Sequence, residues 1–185
     1  MAEIKFLTME ELHAGLAEIR QSPADNGELK LIVRRPQINA REILTEAELC
    51  IVEGLVGDNW QHRSSSRTED GSPHPEMQIN IINTRAIALI AQDEARWQLA
   101  GDQLFLDLNL SKENLPAGTR LALGTAILEV TAQPHTGCKK FVERFGLDAM
   151  KFVNSEVGRE LQLRGINARV IQSGTIRTGD RACRL

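Results

Sequence analysis

Hydrophobic and polar residues alternate in several short stretches of the chain, and each of these stretches predicts a β-strand. In GDQLFLDLNL every second residue from Leu104 to Leu110 is leucine, which places the leucines on one face of a strand. Further strands are predicted in ELKLIVRRP (28–36), in one or two parts of 41–58, and on either side of Gly124. The C-terminal residues 167–185 are predicted to form two short strands around Ser173 and Gly174.

Three segments instead show helical spacing. Thr8 and Glu11 form a capping-box pattern, and apolar residues at helical spacing follow to Ile19. The segment 77–91 begins with strand-like alternation and changes to a helical pattern that is expected to reach Trp97. Residues 146–165 are predicted to be mostly helical.

Many short strands with few helices indicate a mainly β fold, a twisted antiparallel sheet or a closed or nearly closed β-barrel with peripheral helices. We expect a single domain overall, with residues 1–27 as a helical extension packed on a barrel domain of residues 28–185. Residues 62–76 are rich in Ser, Gly and Pro and predict a long exposed loop.

Composition narrows the class of protein. The chain has 185 residues and a net charge of -3, and no apolar run approaches the 18 residues that a membrane span needs. The N-terminus has no signal-peptide pattern, and three widely spaced cysteines do not suggest disulfides, so a cytoplasmic protein is expected. Residues 135–185 carry a charge of +5 and residues 1–134 carry -8. A basic third in an acidic protein suggests an anionic ligand, and the aromatic content of only 4% argues against nucleic acid as that ligand. The alternative is that the uneven charge is a surface fluctuation without consequence.

The segment QPHTGCKKFVERFG places one thiol in a basic setting. Cys138 follows His135 and Gly137 and precedes Lys139 and Lys140. Neighbouring cations favour the thiolate form of cysteine, which can attack, carry a persulfide or bind a soft metal. The spacing between His135 and Cys138 suits zinc, but no second tight pair accompanies it, so zinc is not expected. An incidental surface thiol is the alternative.

Two further segments have residues suited to anion binding. Arg164, Asn167 and Arg169 lie among glycines in RGINARVIQSGTIRTGD, where arginine can bind phosphate in a bidentate manner. His62 and Arg63 end GLVGDNWQHR, at the start of a loop that could close over a ligand. Solvated arginines in a β-turn and an ordinary surface histidine are the competing interpretations.

Taken in order, GLVGDNW, MQINII, NLPAGTRLALGTAILEVTAQPHTGCKKF and RGINARVIQSGTIRTGD resemble the MOSC family over residues 28–182. The resemblance implies a β-barrel whose lone cysteine is the functional centre. Two departures stand out: Gly101–Leu104 reads Gly-Asp-Gln-Leu where the family often has Gly-Glu-Asn-Leu, and Gly137 replaces a frequent proline before the cysteine.

The resemblance implies that Cys138 ligates the molybdenum of a pterin cofactor, in an enzyme that reduces N-hydroxylated compounds with electrons from a partner protein. Lys139, Lys140, Arg164 and Arg169 are then expected near the pterin phosphate, with Asn167 bonding the pterin and His62, Arg63 and His135 as further cofactor-binding residues. The alternative role is a sulfur carrier that takes persulfide sulfur on Cys138 from a pyridoxal-phosphate-dependent cysteine desulfurase. A ligand-binding barrel without chemistry is the third possibility.

Overall fold

The computed structural model describes residues 5–185, which form eleven strands, six α-helices and three 3₁₀ helices. The strands are β1 Gly27–Arg34, β2 Glu42–Leu44, β3 Glu46–Cys50, β4 Gly54–Leu55, β5 Ile79–Asn83, β6 Leu104–Asp107, β7 Arg120–Leu123, β8 Ala126–Val130, β9 Ile166–Gln172, β10 Gly174–Arg177 and β11 Arg181–Arg184. The α-helices are α1 Met9–Ala14, α2 Leu16–Ile19, α3 Thr84–Ala91, α4 Lys139–Phe145, α5 Leu147–Asn154 and α6 Glu156–Glu160. The 3₁₀ helices are Asn59–His62, Pro75–Met77 and Glu94–Ala100.

Seven strands close into a barrel in the order β11-β7-β8-β9-β5-β6-β1, because β1 also pairs with β11. β2 adds to the other part of β1, and β10, β3 and β4 form a separate small sheet. The strand pairs of the barrel are antiparallel except β5–β6, which is parallel and is connected through α3. The predicted mainly β, closed-barrel fold is confirmed.

The barrel strands separate two hydrophobic cores. Leu104 and Leu106 of β6 belong to one core, whereas Phe105 between them belongs to the second core, which includes the helices. Ile81 and Ile82 of β5 divide in the same way. Alternation therefore places one face of each strand in the barrel interior and the other under the helical layer. All five side chains are fully buried.

The N-terminal helical segment packs on this helical layer. The capping box is confirmed, since the Thr8 hydroxyl accepts from the Glu11 backbone and the Glu11 carboxylate accepts from the Thr8 backbone. The helix divides at Gly15, where a Cβ would overlap the Leu89 side chain of α3. Residues 1–4 of the predicted extension lie outside the described residues, and the domain boundary after residue 27 stays a prediction.

Several element boundaries differ from the prediction, and β6, for example, ends at Asp107 although the leucine alternation continues to Leu110. α3 ends at Ala91 instead of continuing to Trp97, because Gln92 adopts a left-handed φ of 61° and a 3₁₀ helix follows. The C-terminus forms three strands rather than two, since a turn at Gly179, with φ of 95°, separates β10 from β11. None of the helices within residues 5–185 has the length and hydrophobicity that a bilayer span requires.

Candidate functional site

A cavity of about 740 Å³ lies among the connections that follow β1, β4 and β8 and precede β6 and β9. Its lining includes Cys138 and, among residues 5–185, no aspartate or glutamate. The basic residues that line it are Arg35, Arg41, His62, Arg63, His135, Lys140, Arg144 and Arg164. The cavity wall is therefore strongly positive.

Cys138 occupies the N-cap position of α4 and is exposed. Its carbonyl accepts from the backbone N–H groups of Phe141 at 2.9 Å and Val142 at 3.2 Å, which starts the helix. Asn154 holds the preceding residue, because its side chain accepts from the N–H of Gly137 at 2.9 Å and donates to the carbonyl of Gly137 at 3.2 Å. A proline at 137 would lack that N–H, so the glycine here has a structural partner that the family's usual residue cannot use.

Arg35 is a buried cation that organises one wall of the cavity. Its guanidinium donates to both oxygens of Asp58 at 2.8 Å, and its backbone N–H donates to Asp58 Oδ2 at 2.9 Å. It also donates to Asn80 Oδ1 at 2.9 Å and to the carbonyl of Gly101 at 2.8 Å. The Arg35 carbonyl accepts from the N–H of Asn59. This pair thus joins three separate connections and strand β5, and its charge is balanced inside the protein.

Arg164 has a similar internal partner. Its Nη1 donates to Oδ2 of Asp102 at 2.7 Å, its Nη2 donates to the carbonyl of Ala100 at 3.0 Å, and its guanidinium lies 5.1 Å from the Phe141 ring centroid. Nδ1 of His135 lies 3.5 Å from the other oxygen of Asp102. Burial raises the pKa of Asp102, opposed by Arg164. Burial lowers the pKa of His135 well below its usual value, and the charge of Arg164 adds to this.

The guanidinium groups of Arg41 and Arg144 both lie beside Gly101. A Cβ at Gly101 would lie 3.5 Å from Nη2 of Arg41 and 3.6 Å from Nη1 of Arg144. Backbone carbonyls hold both guanidinium groups, those of Gln98 and Ala40 for Arg41 and that of Leu99 for Arg144. Carbonyls position these cations without neutralising them.

Arg41, Arg63, Lys140 and Arg144 have no carboxylate within 4 Å in the part of the chain that the structure describes. Desolvation, Arg144 and Arg35 lower the pKa of Arg41. Desolvation and then Arg35 lower the pKa of Arg63 to about 10, so it remains charged at neutral pH. The mutual repulsion of these cations would be relieved by a bound anion.

The MOSC domain model matches residues 70–182, which is more than half of the chain. The chain belongs to the MOSC domain family. This assignment confirms the resemblance seen in the sequence. A search of curated proteins finds no match.

Solved structures of similar fold support the barrel architecture. The YUAD protein from Bacillus subtilis has a TM-score of 0.60 at 16% identity, covering 85% of this chain and 94% of its own. YiiM from Escherichia coli has a TM-score of 0.55 at 18% identity, covering 85% and 69%. YiiM from Geobacillus stearothermophilus has a TM-score of 0.52 at 14% identity, covering 89% and 74%. At these identities the likeness concerns the fold.

Six of the nine residues that the sequence suggested as candidate site residues line the cavity. They are His62, Arg63, His135, Cys138, Lys140 and Arg164. Lys139, Asn167 and Arg169 do not line the cavity. Asn167 is fully buried, where it accepts from Asn80 and donates to the carbonyl of Gln133. Arg169 is exposed and pairs with Glu129 at 2.7 Å.

Sequence reasoning did not select Arg35, Arg41, Asp58, Asp102 or Arg144 as site residues. One available signal was a charged residue bordering an apolar strand pattern, as with Asp102 before Leu104 and Arg35 after Val33. Such a position does not distinguish a buried pair from a surface pair, since the adjacent Arg34 pairs with the exposed Glu42, and it does not identify the partner.

Within residues 5–185 no group of three or more His, Cys, Asp or Glu side chains could hold a metal ion. A metal bound at Cys138 would therefore need further ligands from a cofactor. The cavity suits such a group, because it combines an exposed thiol with cations that lack carboxylate partners.

Proposed function

We propose that this MOSC protein binds molybdenum cofactor with Cys138 as the protein's metal ligand, and that it reduces N-hydroxylated compounds with electrons from a partner protein. The observation that supports this function best is the position of Cys138. It is an exposed thiol in the wall of a cavity to which the described part of the chain contributes several cations and no carboxylate.

The cavity cations that have no carboxylate partner within residues 5–185 are the residues that would bind the cofactor's phosphate. Arg35 and Arg164 already pair with buried aspartates, and Arg169 pairs with Glu129. Arg41, Arg144, Arg63 and Lys140 have cationic groups available to the cavity, and guanidinium groups suit phosphate geometry. We therefore assign phosphate binding to these four residues. The cavity volume of about 740 Å³ lies within the usual range of small-molecule and cofactor sites.

When bound, the cofactor would supply the two-electron redox chemistry that breaks an N–O bond. The chain's own residues would hold and orient it. Cys138 would present its sulfur from the N-cap position of α4, where Asn154 fixes the preceding backbone. Arg35 and Asp58 would keep the surrounding connections together, so that the cations and the thiol face a common space.

A sulfur carrier is the second candidate, and the exposure of Cys138 favours it as well. Cys50 and Cys183 are only partly exposed, so Cys138 is the thiol most open to a partner protein. Its thiolate would attack the outer sulfur of a persulfide on a pyridoxal-phosphate-dependent cysteine desulfurase. The partner's S–S bond would break, a new S–S bond would form on Cys138, and the partner would leave as a thiolate.

Metal and pterin analysis of protein made in a cofactor-producing host tests the leading proposal. We expect molybdenum and pterin in wild type and in Cys183→Ala, and neither in Cys138→Ala. Equal contents in wild type and Cys138→Ala, or none in wild type, would end this proposal. Mass spectrometry after incubation with a desulfurase and cysteine tests the alternative, which requires one added sulfur on Cys138.

A further inference from the structure

Three buried polar side-chain atoms of the described residues lack a hydrogen-bond partner, namely Oδ1 of Asp102, Nδ1 of His135 and Nε of Arg164. The first two of these atoms lie 3.5 Å apart. Asp102 has no exposed surface, and its other oxygen accepts from Arg164 at 2.7 Å. Buried polar groups in native proteins are nearly always paired, so these two atoms are each other's natural partners. A closure of about 0.5 Å gives an ordinary hydrogen bond.

The charges around the pair determine where the proton lies. Burial raises the pKa of Asp102, but the charge of Arg164, whose Nη1 donates to Oδ2 of Asp102 at 2.7 Å, opposes this effect and favours the ionised carboxylate. Burial and the charges of Arg164, Arg35 and Arg67 lower the pKa of His135, so its ring is neutral near pH 7. A neutral imidazole carries one N–H, and the facing carboxylate favours Nδ1 as its position. Nε2 then has a free lone pair.

The exposed part of His135 lines the cavity, although only 13% of its side chain is accessible. The charged groups of the lining are all donors. The side-chain oxygens of its less exposed amides are already in use, since Asn59 accepts from Arg63 at 2.7 Å and Asn80 accepts from Arg35 at 2.9 Å. Nε2 of His135 is thus an available acceptor in a cavity with many cationic donors, three residues before the thiol of Cys138.

We propose that His135, oriented by Asp102, determines ligand specificity by accepting a hydrogen bond from an N–H or O–H group of the molecule bound beside Cys138. A ligand for this cavity must therefore carry a hydrogen-bond donor as well as negative charge. The donor could belong to the pterin or to the N-hydroxyl group of the substrate. Only the identity of the ligand rests on the proposed function; the orientation of the ring does not.

Nitrogen NMR of protein with labelled histidine tests the orientation without any ligand. The chain has four histidines, and the signal of His135 is identified by its loss in His135→Gln. We expect a neutral ring with the proton on Nδ1 at pH 7.5. A ring protonated on Nε2, or a charged ring, would overturn the proposal.

Asp102→Asn provides a matched test. Arg164 can only donate, so the new amide must turn its oxygen toward Arg164 and its NH₂ group toward His135. The proton of His135 should then move to Nε2, which removes the acceptor from the cavity. An unchanged tautomer in folded Asp102→Asn would contradict the proposal. If this variant does not fold, the wild-type tautomer decides the point.

Two substitutions of His135 identify the source of the donor. Glutamine keeps an acceptor and leucine does not. We expect His135→Leu to lower either the pterin content or the affinity for N-hydroxylated compounds about tenfold, and His135→Gln to retain most of both. Loss of pterin points to the cofactor, and a raised KM alone points to the substrate. No change in either quantity would overturn the proposal. If the wild-type protein contains no pterin, only the proposed function fails. The proposal on His135 is then still decided by the tautomer measurement.

Discussion

Arg35 and Asp58 form a bidentate ion pair with both N–O distances at 2.8 Å, and both side chains are almost completely buried. The pair connects the segment after β1 to the 3₁₀ helix that begins at Asn59. The pair therefore holds one wall of the cavity in place. Because Asp58 already balances the charge of Arg35, that charge does not neutralise a ligand.

Removing one member of this pair should destabilise the fold strongly, because the other charge would remain buried without compensation. Asp58→Ala should lower the free energy of unfolding by about 3–5 kcal/mol. Urea denaturation measures the change. Glu129→Ala is the control, since it leaves Arg169 exposed to water and should cost at most about 1 kcal/mol. Similar losses in the two variants would contradict the assigned role of the Arg35–Asp58 pair.

Anion binding should depend on the cations that lack a carboxylate partner. Arg144→Gln should weaken the binding of inorganic pyrophosphate about tenfold, because charge-assisted hydrogen bonds to phosphate are lost. Titration calorimetry measures the affinity. Arg169→Gln should leave it unchanged, since Arg169 pairs with Glu129 outside the cavity. An equal effect of the two substitutions would show that only overall charge matters.

Cys138 should react with iodoacetamide before the other two cysteines, because it is exposed whereas Cys50 and Cys183 are partly buried. Peptide mass spectrometry over time gives the three rates. Saturating pyrophosphate should slow the labelling of Cys138 and leave the other two rates unchanged, because only Cys138 lines the cavity. Preferential labelling of Cys183 would be inconsistent with this structure.

Gly165 should not tolerate a side chain. Its φ is 107°, and a Cβ there would overlap the carbonyl of Ile81 and lie 3.3 Å from Nδ1 of His135. Gly179→Ala is the matched control, since Gly179 also has a positive φ of 95° but open space around it. We expect Gly165→Ala to lower the melting temperature clearly more than Gly179→Ala does. Equal losses would mean that backbone strain alone sets the cost.

The stability of the protein should fall as the pH decreases below about 6.5, the ordinary pKa of histidine. The folded state disfavours protonation of His135, whereas the unfolded chain accepts the proton freely. The contribution is therefore fully present above 6.5 and decreases by up to about 1.4 kcal/mol per pH unit below it. Urea denaturation between pH 5 and 8 should give a shallower dependence for His135→Gln. Identical slopes for both proteins would mean that His135 titrates normally in the folded state.

Several features were predictable because they depend on neighbouring residues. The capping box of Thr8 and Glu11 formed as expected, and the alternation from Leu104 to Leu110 identified a barrel strand. The extent of α3 was not predictable, because hydrophobic spacing continued past Ala91 although the backbone reverses at Gln92.

The periodic pattern and the local chemistry of the chain determined by themselves that it is a mainly β protein with one thiol in a basic setting. Only the tertiary structure decided which cations line the same cavity as that thiol. Arg41 and Arg144 are far apart in the sequence, yet both lie beside Gly101. Arg169 belongs to the same basic third of the chain as Arg144, but it pairs with Glu129 instead. The physical reason is that charge pairing is set by distance through space. A sequence pattern specifies which face of a strand is buried, but not which groups meet across the barrel.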